Sequence, residues 1–197
     1  MIIRNWPLWL GLAIGLGALA AGLVAISSPL EDWQLAARWT ARAGFPLLIL
    51  TYVASSLAAL LPGDATRALL RDRRWWGLGF AACHTVHLAA LATYLNLSGE
   101  GRPLVTLVGG GAAYALLYLM VLTSSHRTQR ALGANWKRLH TAGIHWLWFI
   151  FLFSYLGRTM KPETMLEGII GTAVALGALA LRIAAAAKRR RRRAGLA

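Results

Sequence analysis

Four of the five histidines, His84, His87, His140 and His145, fall in two stretches that carry no charged residue. An ionisable side chain inside an apolar segment is costly, so two in each of two segments mark a candidate site. Neutral imidazole is the usual axial ligand of b-type haem iron, and helix bundles build cofactor sites from facing side chains. His84 and His87 are three apart and share a helix face. His140 and His145 are five apart, about 140° around a helix, and do not share one cleanly. Arg74 and Arg138 precede the two stretches and mark a common depth. At about 1.5 Å per residue, His84 and His145 then differ in depth by roughly 4–5 Å, His87 and His145 by roughly 9 Å, and His87 and His140 by roughly 16 Å. On depth alone His84 and His145 are the best pair to hold one iron. The competing reading is that these histidines hydrogen-bond to neighbouring helices and bind nothing. His126 lies in a polar loop and reads as ordinary.

The elements that must position them are long and apolar. Of 197 residues 57% are hydrophobic, nine are Trp and only 14% are charged. Mean hydropathy is +0.53. Backbone groups inside a bilayer must be satisfied within the segment, so uncharged stretches of this length are helices. The expected fold is all-α, a polytopic six-helix transmembrane bundle in one domain. Its spans run at about 8–26, 43–61, 75–95, 104–123, 139–156 and 165–187, with a basic tail over 188–197. The segment 31–39 is polar and mildly amphipathic, and reads as interfacial. Pro46 falls in the first turn of the second span, where proline is tolerated. Pro62-Gly63-Asp64 ends that span. The first span also resembles a signal peptide, with Arg4 before it. A retained helix is preferred because it completes the orientation.

Lys and Arg number 21 against seven acidic residues, for a net charge of +14. These cations sit in short loops and at the tail, as in a membrane protein, which argues against a nucleic-acid partner. With both termini cytoplasmic, 16 of the 21 lie on the inner side: Arg4, Arg67, Arg71, Arg73, Arg74, Arg127, Arg130, Lys137, Arg138, Arg182 and the run Lys188 to Arg193. That is the positive-inside bias. The tail is a topology anchor whose companion effect is contact with membrane lipid. The one cysteine, Cys83, excludes an internal disulfide and reads as a core residue.

Two motifs carry a resemblance. Arg73-Arg74-Trp75-Trp76-Gly77-Leu78 followed by His87 is similar to the start of a haem-bearing helix in the ferric reductase-like transmembrane domain family. Leu122-Thr123-Ser124, then Leu132-Gly133-Ala134-Asn135-Trp136-Lys137-Arg138-Leu139-His140, is similar to a second motif of that family. The likeness covers about residues 42–156. It implies a six-helix protein of the bacterial inner membrane that binds haem b and passes electrons, with His87 and His140 at the matching ligand positions. The family pattern has a further histidine about 13 residues after the one matching His140, and here that position is Phe153. His84 and His145 are extra to the pattern. A substitute site built from them, one haem with a single protein ligand, and loss of haem all stay open.

Arg74 and Arg138, with Arg73 and Lys137, are candidates for haem propionates or a flavin phosphate, although as topology anchors they need no ligand. Trp136 is a candidate cofactor-lining residue, and Trp146 and Trp148 suit either an electron path or packing. Gly109-Gly110-Gly111 lacks the context of a nucleotide loop and suits close helix approach or room for a flat macrocycle. Tyr114 and Tyr118 read as packing residues with a hydrogen bond each. The chain has no NAD or flavin domain. The first functional expectation is therefore a b-type haem protein taking electrons from a separate cytoplasmic, flavin reductase-like donor to quinone, metal ion or a periplasmic acceptor, with FMN or quinone supplied separately. The alternative is a haem-free scaffold or small transporter that keeps the bundle. Its metal-carrying variant would use His84 and His87.

Overall fold

Ser28 starts the longest helix by its own chemistry. Its Oγ accepts from the Glu31 backbone N–H at 3.3 Å and donates to the Glu31 carboxylate at 3.1 Å, with Pro29 in the first position. This is a side-chain N-cap, and it fixes the start of α2, Pro29–Leu60, in a computed structural model of the chain. The structure describes residues 5–24, 28–99 and 101–195. Arg4, Glu100 and the end of the first expected span at Ile26 lie outside them.

Helix α1 is Trp6–Leu23, α3 Asp64–Arg71, α4 Arg73–Ser98, α5 Leu104–Leu122, α6 His126–Leu132, α7 Ala134–Arg158 and α8 Met165–Arg193. Six of these, all but the short α3 and α6, are long and apolar enough to cross a membrane. No strand occurs among the described residues. The chain is an all-α bundle of six membrane-crossing helices, as its hydropathy requires.

Two local expectations change. The polar segment 31–39 is no separate interfacial piece, because the Ser28 cap starts one continuous helix that includes it. Pro46 consequently sits in the middle of α2 rather than in a first turn. It removes one backbone donor there, so the Arg42 carbonyl loses its helical partner. The basic run Lys188 to Arg193 continues α8 as helix, and Lys188 Nζ donates to the Ala59 carbonyl at 2.8 Å near the end of α2.

Helices α1, α2 and α4 pack as one group, α5 and α8 flank α7, and α8 returns to α2. The closest crossings use small residues. A Cβ at Gly11 would collide with the backbone of Gly79, and one at Gly22 with that of Ala36. Close backbone approach is how helices gain contact where lipid is as apolar as their side chains. A Cβ at Gly109 would come into ordinary contact with Ile150, and Gly110 and Gly111 face open space, so the glycine run is not a close crossing. The backbones of α4 and α7, which bear the four histidines, do not pack directly on one another. Their side chains meet through Phe151, whose ring lies 6.3 Å from Phe80 and 5.3 Å from His84.

Candidate functional site

His84 and His87 face into the bundle from adjacent turns of α4, with ring centroids 5.2 Å apart. His84 is buried among Phe80, Phe151 and Tyr114, and the Tyr114 hydroxyl donates to the His84 carbonyl at 3.3 Å. Its other wall is Gly44 of α2, where any Cβ would collide with the imidazole. The His84 Nδ1 is buried with no hydrogen-bond partner among the described residues. Such an orphan costs about 1–3 kcal/mol, so it calls for an explanation.

His87 is held differently. Thr40, fully buried on α2, lies 3.2 Å from His87 Nδ1. The single Thr40 hydroxyl hydrogen already goes to the carbonyls of Ala36 at 2.7 Å and Ala37 at 3.1 Å. The hydroxyl must therefore accept from His87 Nδ1–H, which leaves the lone pair of Nε2 free. That is the tautomer of a metal-ligating histidine braced by a neighbour.

The two histidines of α7 stand apart from this pair and from each other. His140 stacks on Trp136 with centroids 4.1 Å apart, and its Nε2 lies 3.0 Å from Thr123 Oγ1. Thr123 gives its own hydrogen to the Leu119 carbonyl at 2.6 Å, so it accepts from His140 Nε2–H and Nδ1 keeps the lone pair. Trp136 Nε1 donates to the Thr123 carbonyl at 2.8 Å and fixes the stack. His145 has both nitrogens engaged, Nδ1 with the Tyr52 hydroxyl at 3.0 Å and Nε2 with Arg182 at 3.4 Å. His84 and His145 share no ring contact, and each has its own set of neighbours.

Among the other candidates, Arg74 is exposed over the Trp75 ring, 5.1 Å from its centroid. Arg138, with Lys137, Thr141 and His145, lines an open cavity of about 520 Å³. Arg73 turns inward and donates to the Thr51 carbonyl at 3.0 Å. Trp146 and Trp148 bond the carbonyls of Gly109 and Ala175 at 3.2 and 3.0 Å. Tyr118 meets the Thr85 hydroxyl at 3.1 Å. Among the described residues no three of His, Cys, Asp and Glu converge as a metal-ion site.

The motif histidines thus lie on α4 and α7 of the bundle, and comparison with known proteins gives the family. The chain is 32% identical over 186 residues to the protein-methionine-sulfoxide reductase heme-binding subunit MsrQ of Yersinia pseudotuberculosis serotype O:1b (strain IP 31758), covering 86% of this chain and 81% of that one. MsrQ of Yersinia pestis (strain Pestoides F) matches equally well, at 32% identity with 86% and 80% covered. The chain belongs to the MsrQ family. No family model matches it, and no solved structure does.

Two features of this MsrQ-family chain were illegible in the sequence. Phe153, at the position where the resemblance expects a histidine, is 65% exposed and stacks on Phe149 with centroids 6.2 Å apart. Phe151 instead lies about 20° from His140 around the helix and reaches His84. Thr40, Gly44, Tyr52 and Phe151 escaped the reading of the sequence because none is ionisable in the ordinary range, and their partners lie far away in sequence. The one available signal was Thr40 itself, a polar residue just before an apolar run.

Proposed function

We propose that this chain is a haem-carrying membrane subunit of a methionine sulfoxide reductase system, passing electrons from a cytoplasmic donor to an acceptor on the other side of the bacterial inner membrane. The observation that carries the reading is the His84–His87 pair: one imidazole with its Nε2 lone pair left free by Thr40, beside another with an unpartnered buried nitrogen. The relatives' own names describe a heme-binding subunit. Bound haem b would supply one-electron reduction and reoxidation at this point.

The residues of this chain do the holding and orienting. His87 is the first ligand, braced by Thr40. His84 is held between Gly44, Phe80 and Phe151 and supplies a second imidazole on the same helix. His140 and His145 provide imidazoles from α7. His140 reaches a metal through Nδ1, or through Nε2 after giving up Thr123. His145 must first give up Arg182 or Tyr52. Trp136 positions His140 by stacking. Arg138 and Lys137 line the opening at the basic end, where a separate flavin reductase-like donor would dock, and Arg74 adds positive charge there. FMN or quinone would be supplied by such partners. Both termini lie in the cytoplasm on the positive-inside argument, and the surrounding lipid covers the six apolar helices.

Protein purified in mild detergent from haem-replete cells should show a Soret band and, once reduced, a b-type α band. His87→Ala should remove most of the pigment, and His84→Ala, His140→Ala and His145→Ala should report which imidazoles share the iron. Colourless wild-type protein would overturn the proposal and leave a haem-free bundle as the reading.

A further inference from the structure

Arg73 and Arg182 come from the start of α4 and the second half of α8, yet both guanidiniums turn inward to neighbouring carbonyls of α2. Arg73 Nε donates to the Thr51 carbonyl at 3.0 Å, and Arg182 Nη1 to the Tyr52 carbonyl at 2.8 Å. Tyr52 lies eight residues before the end of α2, about 12 Å inside it. Long cationic side chains in a bilayer normally extend outward to water. Here Arg182 lies over the Tyr52 ring at 4.4 Å instead.

The two cations are within Coulombic reach of each other, and Arg189 adds to the field at Arg182. Neither arginine forms an ion pair among the described residues. The acids at this end are engaged elsewhere, Asp64 with Arg67 at 2.9 Å and Asp72 with Arg71 at 2.9 Å. A guanidinium has five N–H donors, and among the described residues this pair engages Arg73 Nε, Arg182 Nη1 and Arg182 Nη2, the last on His145 at 3.4 Å. Half-buried cations that repel one another and form no ion pair among the described residues are stabilised by an anion between or beside them. An entry exists: the open cavity of about 520 Å³ has Lys137, Arg138 and Thr141 on its wall and His145, the Arg182 partner, as another wall residue.

We propose that Arg73, Arg182 and this cavity form a binding site for a phosphate-type oxyanion. Planar guanidiniums match phosphate geometry, and basic pockets between membrane helices take anionic headgroups. The anion is the headgroup of an anionic phospholipid or a free phosphate from the aqueous side. Arg182 and Arg73 grip it, Lys137 and Arg138 draw it in, and Thr141 adds a hydroxyl at the cavity wall.

The test uses the full chain in phosphatidylcholine nanodiscs, with its unfolding midpoint read by intrinsic tryptophan fluorescence. Phosphatidylglycerol in the disc, or inorganic phosphate in the buffer, should raise the wild-type midpoint, because a ligand of the native state stabilises by mass action. Response to phosphatidylglycerol alone identifies a lipid headgroup, and response to phosphate identifies a free anion. Arg73→Gln and Arg182→Gln should lose more than half of the response. If Arg182→Gln does not fold, Lys137→Gln with Arg138→Gln serves in its place. Arg127→Gln with Arg130→Gln removes the same charge from exposed α6 and should keep the response. No wild-type shift with either additive, a full response in the Arg73 and Arg182 variants, or an equal loss in the α6 control overturns the site. Haem content has no part in this readout, so colourless protein would sink the function proposed above and leave this measurement standing.

Discussion

A single hydroxyl decides which nitrogen of His87 is available. Thr40 spends its hydrogen on its own helix and accepts from Nδ1–H, so Nε2 keeps the lone pair. Thr40→Val keeps the size and removes the acceptor. Loss of such a bracing partner typically weakens metal binding about 10–100-fold. The variant should therefore shed haem on dilution and show a shifted midpoint potential in a spectroscopic redox titration, while Thr40→Ser restores both. Equal retention and potential in Thr40→Val and wild type would show that the hydroxyl only packs. Gly44 acts at the same scale by leaving room. Gly44→Ala would drive a methyl into the His84 ring and should alter the absorption spectrum, whereas Gly110→Ala, with open space around it, should not. Identical spectra for both variants would mean that the His84 ring does not lie against α2.

Between elements, one ion-pair group ties three segments at the end opposite the basic loops. Glu167 of α8 takes a two-pronged bond from Arg42 of α2, at 2.7 and 2.5 Å, and Arg158 of α7 approaches it at 3.7 Å. These side chains are about one-quarter to one-third exposed, so solvent screens part of the attraction. Glu167→Gln should cost about 1 kcal/mol. Thermal unfolding of the detergent-solubilised chain would register it as a lowered midpoint with the pigment unchanged. An unchanged midpoint would show that helix packing alone sets the geometry of α2, α7 and α8. The helices themselves were legible because charge clusters separate long apolar stretches. Their joins were not: Ser28 starts α2 well before the apolar run, and only the cap contacts reveal it.

For the whole molecule, the bundle separates a basic end from an end bearing Glu163 and Glu167. Reporter fusions test the direction. Alkaline phosphatase joined after residue 197 should be inactive and joined after Gly101 active, because only the latter loop would be exported. The reverse pattern would overturn the orientation with both termini in the cytoplasm. The four histidines were legible as a set, since an imidazole in an apolar stretch stands out. Their pairing was not, because depth along two helices says nothing about rotation or hydrogen bonding. Depth favoured His84 with His145, while the structure groups His84 with His87 and gives His145 to Tyr52 and Arg182.

The sequence by itself determined that six helices cross the membrane. A backbone in lipid has to bond within its own segment, and that requirement is local. It also determined which side chains are chemically able to hold iron, since residue type is fixed at synthesis. The tertiary structure decided which of those nitrogens stay free. Thr40 lies 47 residues from His87, Tyr52 lies 93 from His145, and Arg182 lies 130 from the carbonyl it binds. Contacts at such separations exist only once the helices have packed, and they choose among imidazoles that are equivalent along the chain.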